Sequence, residues 1–276
     1  MDGLPYLLVA ERSVVPMANL VLEALETHAR PSSIFIVVPR AQIQEFLLTR
    51  CARHQVIAEE EILPDWPLRR IQAMLRRYPE RAGWYLQQFL KLGFGAAAAV
   101  PRYVVWDADT VMLARPTLTH RGRVVMSASR EFHRPYFRTF ERLFGRRRVL
   151  SRSVISQYML IETAVVSEMQ DEIEHRHRQG WIEAILEGLP GCSPSEFSEY
   201  ETYGNYLESR YPGSVLLRQI KWFRYGSYLL PAAESRTTPH MCRTFDGYAY
   251  VAFERHPDRA WKALAAKLMH SLRIGS

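Results

Sequence analysis

Cysteine is nearly absent. Cys51, Cys192 and Cys242 are the only three in 276 residues, far apart and without a C-x-x-C pair. That excludes a disulfide framework and a cysteine-rich zinc cluster, and it suits a reducing cytoplasm. No apolar run approaches the roughly 18 residues that a membrane-crossing helix needs. Met1 to Ala10 has neither a basic start nor a small-residue cleavage site, so no secretory leader is expected and the location expected is cytoplasmic. Two glycine-rich phosphate signatures are missing as well. No G-x-G-x-x-G follows the first predicted strand, and no G-x-x-x-x-G-K-[ST] occurs, which argues against a classical dinucleotide fold and a P-loop. Aspartate is scarce too, at seven residues. Two of those seven stand one residue apart.

What is present supports a substantial core. Hydrophobic residues make up 47% of the chain, and the formal charge is +7 with a pI near 9.4. Such a balance implies attraction to something anionic: nucleic acid, acidic phospholipid or nucleotide-sugar phosphates. Tyr6–Ala10, Ile34–Val38 and Val56–Ala58 read as strands. Between them lie a helix with Met17, Leu20, Val21, Ala24 and Leu25 on one face, capped by Ser13, and a second helix with Ile43, Phe46, Leu47 and Arg50. Strand and helix alternating at this spacing predict parallel βαβ units, hence an α/β fold with a mixed, mostly parallel central sheet flanked by helices. Residues 1–276 are expected to form one domain, with halves at about 1–115 and 116–276.

The centre of the pattern is Tyr103-Val104-Val105-Trp106-Asp107-Ala108-Asp109. A buried strand runs into two carboxylates at its C-terminal end, where open α/β sheets place their ligands. Two hard oxygen ligands there suit Mg²⁺ or Mn²⁺ bridging to a phosphorylated substrate. Just upstream, Gly83–Leu92 reads as a helix leading into a packed connection at Gly93–Ala99. Trp84, Gln87, Gln88 and Lys91 share one face at i, i+3, i+4 and i+7, a polar wall able to hold a ligand, with Lys91 toward a phosphate.

Further on, Arg130, Arg134, Arg138 and Arg142 interleave with Phe132, Tyr136, Phe137, Phe140 and Phe144. This suits a helix with a core face, a membrane-surface patch or a single-strand nucleic-acid platform, and the membrane reading ranks above nucleic acid. Ser156 and Gln157 offer short hydrogen-bonding groups. Residues 163–187 read as one long helix. Ser193 then reads as a cap with Pro194 at the first helical position, opening a helix that carries Glu199, Tyr200, Glu201 and Tyr203. Glu199 and Glu201 lie about 200° apart on a helix, so only one of them faces a given site.

These stretches carry a resemblance. The W-x-x-Q-Q-x-x-K helix, the Asp-x-Asp strand end and the Ser198-Glu199-Tyr200-Glu201-Thr202-Tyr203-Gly204 segment resemble GT-A glycosyltransferases, the nucleotide-sugar transferase fold. More narrowly, they are similar to a bacterial branch found with polysaccharide and lipopolysaccharide genes. The resemblance spans roughly residues 5 to 260. It implies an enzyme that uses Mn²⁺ or Mg²⁺ to move a sugar from a nucleoside-diphosphate donor, UDP-sugar first, to a hydroxyl of a glycan or lipid-linked acceptor, with inversion. It implies donor binding by Trp84, Gln87, Gln88, Lys91, Asp107 and Asp109, and acceptor binding by Ser156, Gln157, Tyr200 and Tyr203. It also implies a base at Glu199 or Glu201 and a metal held by Asp107, Asp109 and His256. The partners are then the sugar donor, the acceptor and an anionic membrane touched peripherally, without nucleic acid. Two rivals stay open: a metal-dependent nuclease or phosphotransferase, and a non-catalytic binding protein on a transferase fold.

Overall fold

The structure is a computed structural model, and it describes residues 3–230 and 233–254. Eleven strands are present among them: β1 (Tyr6–Val9), β2 (Ile34–Val38), β3 (Gln55–Ala58), β4 (Arg102–Trp106), β5 (Thr110–Met112), β6 (Thr119–His120), β7 (Arg123–Ser127), β8 (Tyr158–Glu162), β9 (Val215–Arg218), β10 (Trp222–Phe223) and β11 (Tyr250–Ala252). The central sheet has the order β3-β2-β1-β4-β8. Its first four strands are parallel, and β8 adds an antiparallel edge against β4. The architecture is α/β with a mixed, mostly parallel sheet, as the strand and helix spacing predicts. Every residue of β1 and β2 is buried. Continuous β-branched and aromatic runs fit strands covered on both faces.

The helices that matter to the site are α1 (Val15–His28), α2 (Ile43–Leu47), α3 (Glu59–Ile62), α4 (Leu68–Met74), α5 (Ala82–Ala97), α6 (Arg134–Phe144), α7 (Thr163–His177), α8 (Trp181–Glu187) and α9 (Glu199–Arg210). Helix α5 packs on β1 and β4 and meets α7 and α9. Its Tyr85, Phe89, Leu92 and Phe94 join the core. The connection expected at Gly93–Ala99 is instead helical through Ala97. Small residues are what let the helix run so close to its neighbours: a Cβ on Gly95 would collide with the Thr163 hydroxyl and lie 2.7 Å from the Tyr103 ring. Gly95→Ala is therefore expected to destabilise the fold by about 1–3 kcal/mol, as overpacking of a tight contact does. A urea unfolding midpoint unchanged by the substitution would refute that.

Three local expectations are corrected. Ser13 does not cap α1. Its hydroxyl donates to Glu11 Oε1 at 2.8 Å, and the helix starts at Val15 with a proline in its first turn. The stretch 163–187 is two helices, because Arg178 takes a left-handed conformation that ends α7 before α8 begins. Ser193 opens no helix. The Glu196 carboxylate folds back to accept the backbone N–H groups of Gly191, Cys192 and Ser193, which holds this stretch as a loop. The helix begins at Glu199, with the Ser198 hydroxyl accepting from Glu201 N at 3.3 Å. A carboxylate accepting three amides outcompetes a weaker serine cap.

Candidate functional site

Strands β1, β2 and β3 lie on one side of β1's partner β4 in the sheet, so the order reverses between β1 and β4. A crevice outside the carboxyl ends of the strands is expected at such a reversal. A cleft of about 1340 Å³ opens there. It is lined by residues following each parallel strand: Ala10 and Glu11, Pro39 and Arg40, Glu59 and Glu60, and Asp107 to Asp109.

Asp107 and Asp109 stand in the turn between β4 and β5. Thr110 N donates to Asp107 O at 3.0 Å, and the Trp106 indole N–H donates to Thr110 O at 2.7 Å, which fixes the turn. Strand β5 leaves the central sheet and pairs antiparallel with β11, Thr110 opposite Ala252. That pairing carries Glu254, two residues beyond Ala252, to the aspartates. Gln157 ties the pieces together: its carbonyl accepts from Asp107 N at 2.9 Å, its side-chain oxygen accepts from Thr110 Oγ1 at 3.1 Å, and its Nε2 donates to Glu254 Oε1 at 2.8 Å. Arg224 reaches the same carboxylate from β10, with Nε at 2.9 Å, and its Nη1 lies 2.5 Å from Glu131.

The other wall is built by α5 and α9. Lys91 Nζ donates to Asp107 Oδ1 at 2.7 Å and to Glu199 Oε1 at 2.8 Å, and it sits 3.4 Å from the Tyr200 hydroxyl. That hydroxyl in turn donates to Asp107 Oδ1 at 3.1 Å. Gln88 Oε1 accepts the backbone N–H of Glu199 at 3.0 Å, satisfying a free donor at the start of α9. Trp84 and Gln87 face the cleft, with the Arg81 guanidinium 4.5 Å above the Trp84 ring.

The electrostatics follow from crowding. Five carboxylates, Asp107, Asp109, Glu131, Glu199 and Glu254, share this part of the cleft with the cations Lys91 and Arg224. Burial, with Asp107 and Glu254 beside it, pushes Asp109 up to about 7. Burial also raises Asp107, against the pull of Lys91. Burial works against the charge of Lys91, yet Asp107 and Glu199 outweigh it and hold the ammonium well above its ordinary value. Both aspartates are therefore reluctant to ionise where they stand, and a cation bound there would favour their charged forms. Among the described residues, no three His, Cys, Asp or Glu side chains stand as a metal cluster. Mg²⁺ is commonly held by one or two carboxylates plus substrate phosphates. By donor type and by charge, Asp107 and Asp109 fit such an ion. His256 lies outside the described residues.

Ten of the residues singled out from the sequence line this one cleft: Trp84, Gln87, Gln88, Lys91, Asp107, Asp109, Ser156, Gln157, Glu199 and Tyr200. Their contacts differ from the expected ones in four places. Lys91 is committed to two carboxylates rather than open to a phosphate, and Gln88 holds the α9 terminus. Gln157 organises the aspartate turn, and the Ser156 hydroxyl is spent on Tyr158 O at 2.6 Å. Glu201 and Tyr203 lie away from the cleft. Glu201 is buried against Asn205, and the Tyr203 hydroxyl accepts from Glu162 N at 3.0 Å, because α9 turns only its Glu199 and Tyr200 side toward Lys91. Glu131, Tyr136, Arg224 and Glu254 also line the cleft, beyond the donor, acceptor, base and metal residues expected from the sequence. For Glu254 and Arg224 the signal was available: each ends a short apolar run, as Asp107 does.

A family with the description "Family of unknown function (DUF6492)" matches residues 11–245. No curated protein matches the chain by sequence. Among solved structures, the chain is similar to galactosyltransferase LgtC in complex with donor and acceptor sugar analogs, at 11% identity over 97% of this chain and 96% of that one, with a TM-score of 0.46. It is likewise similar to mouse xyloside xylosyltransferase 1 in its apo form, at 13% identity over 91% and 97% of the two chains, with a TM-score of 0.47.

Proposed function

We propose, for a chain that belongs to the DUF6492 family of unknown function, that it is a metal-assisted glycosyltransferase moving a sugar from a nucleoside diphosphate to an acceptor hydroxyl. The observation that carries this reading is the convergence of Asp107, Asp109, Glu199 and Lys91 in a cleft at the strand-order reversal. The W-x-x-Q-Q-x-x-K and Asp-x-Asp stretches and the Ser198-Glu199-Tyr200 part of S-E-x-E-x-Y-G, which supplied the resemblance to GT-A transferases, meet in that cleft.

In this reading Asp107 and Asp109 would hold Mn²⁺ or Mg²⁺, and such an ion would offset the negative charge of a diphosphate leaving group. The chain's own residues do the rest. Trp84 and Gln87 present a ring and an amide to the donor. Glu199 Oε1 is fixed by Lys91, and its second oxygen, without a partner among the described residues, takes the proton of the acceptor hydroxyl. A base that acts on the acceptor hydroxyl in a single displacement gives inversion at the anomeric carbon. Gln157 and Arg224 hold Glu254 beside Asp109 and keep the turn rigid. UDP-sugars are the first donors to try, and a glycan or lipid-linked glycan the first acceptors.

Melting temperatures with Mn²⁺ or EDTA, across UDP, GDP, CMP and ADP, test the reading. With metal, one nucleotide is expected to stabilise the chain by about 3 kcal/mol at a hundredfold excess over its dissociation constant. EDTA and Asp109→Ala are each expected to remove the shift. No shift with any nucleotide would sink the donor site.

A further inference from the structure

A second surface stands at the rim of the cleft, and the transfer reading does not use it. Ser129 and Ser153 form an antiparallel bridge, with Ser129 N donating to Ser153 O at 2.8 Å. One step along, that register sets Arg130 opposite Arg152, and both are exposed. Like charges directly opposite one another destabilise a strand pair. Among the described residues, Arg130, Arg134 and Arg152 make no ion pair.

Apolar side chains lie among these arginines. Phe132 is 66% exposed and Val149 is 49% exposed. The Arg148 guanidinium lies 5.1 Å above the Phe132 ring and 4.2 Å above the Phe137 ring, which joins the two segments into one surface. Glu201 acts on the half-buried Arg148 from within, but the acidic residues nearest in sequence do not neutralise Arg130, Arg134 and Arg152. Glu131 turns into the cleft to Arg224, and Glu141 pairs with Arg147. The core explanation of this segment covers its other side, where Phe140, Leu143 and Phe144 are buried, and leaves Phe132 unexplained. Glu131 and Tyr136 line the cleft, so Arg130, Phe132 and Arg134 stand beside its mouth.

We propose that Arg130, Arg134, Arg148 and Arg152, with Phe132 and Val149 among them, form a docking surface for an anionic phospholipid bilayer that sets the mouth of the cleft against the lipid. Basic side chains are drawn to the negative headgroups, and the exposed ring and aliphatic side chain enter the interface. A nucleic-acid strand fits less well. Its bases stack on a succession of free aromatic faces, whereas Phe132 is the one strongly exposed ring of this segment, with Arg148 over one of its faces and Phe137 beside it at 5.1 Å between ring centroids. An acceptor carried in the bilayer would then meet the cleft without leaving the surface.

Flotation of the full chain with vesicles tests this. Binding is expected to phosphatidylglycerol-containing vesicles and not to pure phosphatidylcholine, and to fall as salt rises. Each arginine near the surface is worth roughly fivefold in binding, so Arg130→Glu with Arg152→Glu is expected to weaken it by at least about twenty-five-fold on that basis. Phe132→Ser is expected to weaken it at unchanged charge. All three side chains are exposed, so both variants should keep the wild-type melting temperature. Equal binding to the two kinds of vesicle, or undiminished binding by both variants, would overturn the proposal. So would a single-stranded oligonucleotide that binds more tightly than the vesicles and displaces the chain from them. Docking needs no turnover: Asp109→Ala should still float with the vesicles, so a failure here is distinct from a failure of the donor site.

Discussion

Lys91→Met is expected to destabilise the folded chain by about 3–5 kcal/mol at neutral pH, a fall of roughly 10 °C in melting temperature. Lys91 is 5% exposed at its side chain and Glu199 is 6% exposed, with Asp107 at 19%. Methionine matches the stem of lysine but supplies no charge, so two carboxylates and the Tyr200 hydroxyl lose their common donor in a place with little water. The effect has a pH signature. Without the ammonium, the Asp107 carboxyl, which burial already raises against the pull of Lys91, holds its proton still more tightly when folded than when unfolded. The folded variant then takes up protons as pH falls, and its deficit against wild type is largest above about pH 7 and shrinks toward about pH 5. In the wild type, the Lys91 pKa is raised, so its own contribution is complete throughout the neutral range and is lost only as pH rises through the folded value. Adding Asp107→Asn to Lys91→Met should recover part of the loss, because it removes one of the orphaned charges. Equal melting temperatures for Lys91→Met and wild type from pH 5 to 8 would show that the lysine is not the keystone of this wall.

The parts of this arrangement that could be read from sequence are those encoded locally. Ile34–Val38 and Tyr103–Trp106 are continuous buried runs, and the Asp-x-Asp at the end of the second marks the edge of the sheet. Helix α5 keeps Trp84, Gln87, Gln88 and Lys91 on one face for the same local reason. What that face meets is a tertiary fact. Lys91 finds Glu199, 108 residues later, and no periodicity specifies the encounter. The choice between Glu199 and Glu201 shows the same limit: helix geometry separates them by about 200°, but only the packing of α9 on α5 decides which one faces in. Glu254 ends an apolar run, as Asp107 does, but its meeting with the aspartates rests on the antiparallel pairing of β11 with β5, a register invisible in either segment alone. Ser193-Pro194 failed for the opposite reason. Its cap signal is strong locally, and the Glu196 carboxylate three residues on overrode it.

Asp109→Asn is expected to make the chain more stable than wild type, increasingly so as pH rises from about 4 to 7. The unfolded carboxyl titrates near about 3.9, while burial and the fields of Asp107 and Glu254 push the folded one up to about 7. Between those values the folded state binds the proton and the unfolded state does not, so wild-type stability falls as pH rises through that window and stays low above it. A shift of this size corresponds to at most about 4 kcal/mol. Asparagine has nearly the same shape and nothing to ionise, so it avoids that loss. In EDTA the difference in melting temperature between the two proteins should be near zero around pH 4 and level off above about pH 7. A divalent cation on Asp107 and Asp109 reverses the comparison: it favours the ionised carboxylate, so the wild type gains stability at about pH 8 and the variant gains little. The two results separate the physical claim from the functional one. Parallel melting curves in EDTA between pH 5 and 8 would mean that Asp109 is not strained by its neighbours. A divergence in EDTA that Mn²⁺ or Mg²⁺ leaves unchanged would mean that the strain is present but no cation relieves it, leaving the transferase reading without its metal. A divergence that the cation closes would mark Asp109 as a residue kept at a cost in stability for the charge it offers to metal and diphosphate.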